Sequence, residues 1–162
     1  MVKSSYHKHE IPEEYLDKWQ LIIDQMAQEF DVTAAVLMRA LPKHIEVLVA
    51  SRTKGNPYIS GHKASLNSGL YCEAVMATQS QLQVPNALAD EHWKNSPAVK
   101  LNMIMYMGMP LFWPNGEIFG TICVLDNEIR RFDEAHQKLM TAYKGDIESD
   151  FKDIVSNLEN GR

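Results

Sequence analysis

The chain has 162 residues, 45% of them hydrophobic, so it can bury one sizeable core and a single domain is the expected organisation. Its 16 basic and 21 acidic residues give a net charge of -5 without long blocks of either sign, which argues against nucleic acid or an anionic membrane as a partner. No apolar run reaches the roughly 20 residues of a bilayer-spanning helix and the start is not signal-like, so we expect a cytoplasmic location.

The chain begins with a polar stretch followed by an amphipathic pattern. Residues 1–10 are expected to form a flexible tail, and residues 11–162 a single domain. Pro12 suits the first position of a helix, and Glu13 and Glu14 suit the positive end of its dipole. Apolar residues then recur at helical spacing, which predicts the first helix: Leu16, Trp19, Ile22, Ile23, Met26 and Phe30.

Two short apolar stretches follow this helix. Residues 33–39 form an apolar run, and residues 45–49 alternate beyond a turn at Pro42, which predicts an antiparallel hairpin. Residues 51–68 are rich in Gly, Pro, Asn, Ser and Lys and have no period. We expect a long, mobile connection over one edge of the sheet, in a position where such connections often cover pockets.

The middle of the chain predicts short elements and a second irregular segment. Residues 69–78 are typical of a helix and residues 81–84 of a short strand. Residues 87–102 have no sustained period, although Ser96 and Pro97 favour the start of a helix. This stretch is the second segment expected to cover the sheet.

Residues 103–109 alternate in the way of a strand with two distinct faces. The odd positions all carry methionine, so one face is expected to hold Met103, Met105, Met107 and Met109. We expect these thioethers to pack under the terminal helices and Tyr106 to face a pocket, although methionines also suit an adaptable cavity lining. A turn at 114–116 and a strand at 118–126 complete a second hairpin.

The last helix is predicted over residues 134–158, with Asp133 as its N-cap. Its apolar stripe comprises Leu139, Met140, Tyr143, Ile147, Phe151, Ile154, Val155 and Leu158. The half up to Tyr143 is expected to pack on the sheet. Within the second half, a seam of 4-3-4 spacing predicts a parallel homodimer contact: Ile147, Phe151, Ile154 and Leu158. The alternative is that the whole helix packs on its own sheet.

Several motifs resemble those of one family. They are Gly69-Leu70-Tyr71-Cys72-Glu73, Val84-Pro85-Asn86-Ala87, Gly108-Met109-Pro110 and Phe119-Gly120-Thr121-Ile122-Cys123-Val124-Leu125-Asp126. Between about residues 31 and 150 the sequence resembles GAF domains of sensor histidine kinases and diguanylate cyclases. Gly120 permits close backbone approach inside a strand, and Pro110 suits a bulge or an edge, so both residues fit a bent sheet.

The resemblance implies an α+β, PAS-like fold with an antiparallel sheet of about six strands. Both terminal helices would lie on one face, and a small-molecule pocket would lie on the other face beneath the two irregular segments. The implied function is sensory, in a signalling protein such as a two-component kinase: a bound ligand would be relayed through the last helix to an output domain. The ligand is not specified, and no cofactor is predicted.

Seven residues are candidates for contacts with that ligand: Tyr71, Cys72, Glu73, Asn86, Trp93, Tyr106 and Cys123. An aromatic ring with a polar tip suits a mixed pocket, but Trp93 and Tyr106 also suit a hydrophobic core. Glu73 also suits the first turn of a helix. The two cysteines also suit the role of reduced, buried structural thiols.

Other functions remain open at this point. Cys72 and Cys123 could serve as the thiol pair of a free methionine sulfoxide reductase, a branch of the same family, but the cysteine motifs of that branch are missing. Bilin attachment favours a Cys-His pair, whereas Cys72 is followed by Glu73. The spacing of the corresponding residues in this sequence also differs from the motif of cyclic-nucleotide-binding GAF domains. A third alternative is a dimerisation module without a ligand. His7 and His9 alone make a weak metal site, so none is predicted.

Overall fold

A computed structural model describes residues 10–160 of the chain. Within this range there are four α-helices: α1 (Glu13–Phe30), α2 (Tyr71–Thr78), α3 (Pro97–Lys100) and α4 (Glu134–Glu159). The same range contains six strands: β1 (Ala34–Ala40), β2 (His44–Ala50), β3 (Lys63–Ser65), β4 (Leu82–Val84), β5 (Met105–Phe112) and β6 (Ile118–Asp126). They form one antiparallel sheet in the order β3-β2-β1-β6-β5-β4. The predicted α+β fold with about six strands is confirmed, while residues 1–9 of the predicted tail lie outside the described residues.

Helices α1 and α4 cover one face of the sheet with an aromatic core. Trp19 of α1 meets Phe151 of α4 edge to face at 5.6 Å, and Phe151 lies 4.4 Å from Phe119 of β6. Between the helices, the buried Asp150 of α4 accepts hydrogen bonds of 2.8 Å from Trp19 Nε1 and Lys18 Nζ of α1. The two helices are therefore joined by apolar packing and by a buried carboxylate.

Within the described part of the chain, no helix has the length and apolarity to cross a membrane.

The second half of α4 packs on its own chain. Ile147, Phe151 and Ile154 are buried in the layer formed with α1 and the sheet, and Leu158 packs against the same layer. The prediction that this seam faces a partner helix is wrong for Ile147, Phe151 and Ile154, because the same chain already covers them. A homodimer through the terminal helices stays a prediction. The N-cap is confirmed: the Asp133 carboxylate accepts from the His136 N–H at 3.1 Å.

The methionine pattern is confirmed for three of its four members. Met105, Met107 and Met109 lie in the core under the helices, whereas Tyr106 lies on the opposite face. Met103 also lies on the Tyr106 side, so its predicted orientation is wrong. It precedes β5 in a turn in which its N–H donates to the Ala98 carbonyl at 3.0 Å, so the alternation of the strand does not yet apply.

The first irregular segment contains more regular structure than the sequence predicts. Residues 51–68, which we call the first cover, include β3, whose Ala64 pairs with Ile45 of β2. The second cover, residues 87–102, includes α3, which begins at the helix start predicted from Ser96 and Pro97. Three residues without an apolar period carry no strand signal, so β3 forms only because the edge of β2 offers it partners.

Two residues of the family motifs have the backbone roles expected of them. A Cβ at Gly120 would lie 1.9 Å from the Met38 carbonyl oxygen, so only glycine allows β6 to approach β1 at this point. Pro110 lies beyond Gly108, the last residue of β5 that pairs with β4, so no strand on that side needs its missing N–H.

Gly120→Ala should lower the free energy of unfolding by at least about 2 kcal/mol, because the added methyl would force two paired backbones apart. The matched control is Gly145→Ala on α4, where an added Cβ meets no atom within 4 Å. That change should raise stability by roughly 0.5–1 kcal/mol through helix propensity. Urea denaturation measures both, and equal effects of the two substitutions would contradict the close approach.

Candidate functional site

A cavity of about 320 Å³ lies between the sheet and the two covers, on the face opposite α1 and α4. The sheet contributes Val36, Met38, Ile45, Val47, Tyr106, Cys123 and Leu125. The start of α2 contributes Leu70, Tyr71 and Cys72, and the covers contribute Pro57, Tyr58, Ile59, His62, Lys63, Ala64, Pro97, Ala98 and Leu101. The volume falls within the range of ligand pockets, and the walls are mostly apolar.

Hydrogen bonds tie the first cover to the sheet and connect its own residues. At its start, the Ser51 N–H donates to the Ala35 carbonyl of β1 at 2.9 Å. Within the cover, the Asn56 amide donates to the Ser51 carbonyl at 3.0 Å, and its oxygen accepts the Tyr58 N–H at 2.9 Å. Farther along, the Gly61 N–H donates to the Val47 carbonyl at 2.7 Å. Both ends of the loop are thus anchored, and Tyr58 between them forms part of the cavity wall.

The second cover is held by contacts with α2. The Trp93 ring packs on the Tyr71 ring with 5.0 Å between centroids, and the Ser96 hydroxyl donates to the Gly69 carbonyl at 3.1 Å. The Asn86 side chain accepts from the Leu88 N–H at 3.1 Å and so begins the first turn of this cover. These contacts place the short helix α3 at the edge of the cavity.

Aromatic residues form the end of the cavity near α2. The Tyr71 hydroxyl donates to the Met103 carbonyl at 3.0 Å, and its ring lies 4.8 Å from that of Tyr106. The Tyr106 ring lies over Gly108, where a Cβ would stand 2.2 Å from the Tyr106 hydroxyl oxygen. That hydroxyl is enclosed next to Cys123, yet it has no hydrogen-bond partner among residues 10–160.

The two cysteine thiols at the cavity are free and buried. Burial raises the pKa of Cys72 from 9.0 to about 12, and the nearby Glu73 carboxylate adds to the shift. Burial also raises the pKa of Cys123, with Cys72 as a second cause, and the Cys123 thiol donates to the Val36 carbonyl at 3.6 Å. Both groups are therefore protonated thiols at neutral pH and poor nucleophiles.

The family model for the GAF domain matches residues 16–143, which is most of the chain. The chain belongs to the GAF domain family. The resemblance seen in the motifs is thereby confirmed.

Solved structures show the same fold at low sequence identity. A domain of a putative two-component sensor histidine kinase from Sinorhizobium meliloti 1021 is 12% identical, with a TM-score of 0.65 over 95% of this chain and 99% of that one. The phycocyanobilin-bound GAF domain of a cyanobacterial phytochrome is 10% identical, with a TM-score of 0.73 over 95% and 100%. Free methionine-R-sulfoxide reductase from Neisseria meningitidis, solved with its substrate, is 12% identical, with a TM-score of 0.69 over 85% and 78%. A comparison with curated proteins gave no match.

This GAF domain brings four of the seven candidate ligand residues to the cavity: Tyr71, Cys72, Tyr106 and Cys123. The structure places the other three away from its walls. Glu73 accepts the N–H groups of Asn67, Ser68, Gly69 and Leu70, with the last three at 3.0–3.1 Å, and so organises the start of α2. Asn86 begins a turn, and Trp93 fills the space behind Tyr71.

Several wall residues were absent from the candidates. Val36 and Met38 share the cavity face of β1, because Val36 pairs with Cys123. Strand alternation could have placed both residues on one face, but only the register with β6 shows that this face lines the cavity. Tyr58 had only one signal, an aromatic ring within a polar, glycine-rich connection. Across residues 10–160, no group of three or more His, Cys, Asp or Glu residues could hold a metal ion, and His7 and His9 lie outside that range.

Both cysteines should react slowly with iodoacetamide at pH 8 in the native GAF domain. With the pKa of Cys72 near 12, thiolate is scarce, and burial further limits access, so alkylation should be at least about a hundredfold slower than in urea-unfolded protein. Mass spectrometry of each cysteine peptide over time measures the rates. Native labelling of either thiol at the unfolded rate would contradict its placement.

Proposed function

We propose that this GAF domain binds a small molecule in the cavity and relays its presence through the terminal helices. The observation that carries the proposal is the 320 Å³ space that the two covers leave above the sheet. A face serving only as packing surface would be filled by side chains at the density of the opposite face. The phycocyanobilin-bound relative with this fold supports a ligand in such a domain without identifying the ligand here.

Strand β5 offers a direct route from the cavity to α4. Tyr106 lines the cavity, while Met105 and Met107 on either side of it lie under the helices. At the far end of β5, the Phe112 N–H donates to the Glu148 carboxylate at 2.9 Å, and Lys144 Nζ donates to the Pro110 carbonyl at 2.6 Å. A ligand that favours one position of β5 therefore shifts the support of α4, to the extent that it binds the two states with different affinity.

We propose that this domain does not catalyse a reaction and that output belongs to a separate domain of a cytoplasmic signalling protein, such as a histidine kinase or a diguanylate cyclase. Reduction of a sulfoxide requires thiolate attack, and the raised pKa values of Cys72 and Cys123 oppose it. The fold shared with the Neisseria reductase does not supply the missing nucleophile. Turnover of free methionine sulfoxide by the wild type, abolished by Cys72→Ser or Cys123→Ser, would overturn this part.

Blocking the cavity should remove ligand binding while leaving the fold intact. Leu101 lines the cavity and is 47% exposed, so Leu101→Trp can fill the opening without entering the core. Leu21 on α1 is 65% exposed and far from the cavity walls, so Leu21→Trp is the matched control. Native and denaturing mass spectra of the purified proteins, followed by a thermal-shift screen of metabolites, report binding.

The wild type and Leu21→Trp should bind the same species or be stabilised by the same compound, by about 2.7 kcal/mol at one hundred times its dissociation constant. Leu101→Trp should lose this response at unchanged stability. Failure to find any bound or stabilising molecule, or an equal response from both variants, would count against the proposal and favour a dimerisation module without a ligand.

A further inference from the structure

The charge and polarity of the lining residues limit the class of ligand that the cavity can bind. Its walls are formed by aliphatic side chains, three tyrosines, two cysteines and, at the rim, His62 and Lys63. Among the lining residues of the described chain there is no aspartate, glutamate or arginine. Glu73, which follows the lining residue Cys72, is engaged by backbone N–H groups.

The two basic residues among the lining lie at the solvent-exposed rim. His62 and Lys63 are both exposed. Ala64 and Ile45 are paired on the cavity face of the sheet, so strand alternation directs the neighbouring Lys63 side chain toward the opposite face, where Glu46 is its cross-strand partner. The buried lining residues include no Lys, Arg or His, so an anion deep in the cavity would lack a cationic partner there.

The ionisable groups of the interior are neutral at neutral pH. Burial raises the pKa of Tyr71 to about 12, and it raises the pKa of Tyr58 still further. Cys72 and Cys123 are protonated for the same reason. An apolar, uncharged enclosure of this kind excludes a charged ligand, because moving an unpaired charge out of water is far more costly than moving a neutral polar group.

The volume sets a scale for the ligand. A protein cavity of roughly 150 Å³ accommodates benzene, so about 320 Å³ corresponds to roughly twelve non-hydrogen atoms. Nucleotides and linear tetrapyrroles are much larger than this and the former are also charged. The space suits a compact molecule with one ring or a short branched chain.

Tyr58 is the polar side chain best placed to contact such a molecule. The Tyr71 hydroxyl already donates to the Met103 carbonyl, and the Tyr106 hydroxyl is buried against Gly108. Tyr58 projects from the first cover, is half-buried and lines the cavity together with Cys72 and Cys123. Its phenol is therefore a polar side chain that the first cover presents to the cavity.

We infer that the cavity selects an uncharged, largely apolar molecule, and that the Tyr58 hydroxyl hydrogen-bonds the single polar group of that molecule. The inference rests on the proposed function and goes beyond it by naming the ligand class and the residue that hydrogen-bonds the ligand. Ligand binding would thereby also fix the position of the first cover.

An isosteric pair of probes separates charge from shape. Cinnamamide and cinnamate have the same size and outline, but at neutral pH only cinnamate is charged. Cinnamamide should bind the wild-type domain at least about tenfold more tightly than cinnamate, as measured by chemical-shift titration of the ¹⁵N-labelled protein. The Leu101→Trp variant should lose the cinnamamide response, which locates the site.

Removal of one hydroxyl tests the role of Tyr58. Tyr58→Phe should weaken cinnamamide binding by about fivefold, the usual effect of one neutral hydrogen bond, and should leave the weak binding of cinnamate unchanged. Tyr143→Phe deletes the same group on the opposite face, where the hydroxyl bonds to Glu29, and should leave both affinities unchanged. Equal effects of the two variants on cinnamamide would overturn the assignment to Tyr58.

Cinnamate binding as tight as that of cinnamamide, or binding by neither probe at millimolar concentration, would overturn the inferred ligand class. These results are distinct from failure of the proposed function. A charged species carried through purification by the wild type and lost in Leu101→Trp would support a sensory domain while refuting an uncharged ligand.

Discussion

The central strands of this GAF domain must present two different surfaces at once, because their alternate side chains face different environments. On β5, Met105 and Met107 meet the aromatic layer of α1 and α4, whereas Tyr106 between them faces the cavity. On β6, Ile122 and Val124 pack under the helices while Cys123 lies opposite. The packed core, the cavity and the connection between them all depend on this alternation.

The two surfaces differ in how they are covered. Long helices cover one face, and large side chains pack between them and the sheet: Trp19, Phe119 and Phe151 are fully buried there. Short segments cover the other face and are held by individual hydrogen bonds, such as those of Asn56. These short covers leave a mostly apolar cavity above the sheet, whose basic residues, His62 and Lys63, are exposed at the rim.

The path between the cavity and the helical layer is short because a single sheet separates them. A change in the position of Tyr106 acts on the same backbone that carries Met105 and Met107, and the end of β5 is tied to α4 by Glu148 and Lys144. The opposite side of α4 is tied to α1 by the buried Asp150. A continuous set of contacts therefore leads from β5 to the terminal helices, as the proposed function requires.

Local pattern and family motifs were sufficient for the fold class, both hairpins, the terminal helices, the N-cap at Asp133, the need for glycine at position 120 and the opposite orientations of Tyr106 and the methionines of β5. Each of these depends on the periodicity of a short segment or on one backbone approach. The tertiary structure alone decided that α4 buries Ile147, Phe151 and Ile154 within its own chain, because a 4-3-4 seam does not specify which surface covers it. It also decided the position of Met103 before β5, the strand β3 and the place of Tyr58 in the cavity wall. These features depend on tertiary contacts between segments that are far apart in the sequence, and the periodicity of a single segment does not specify such contacts.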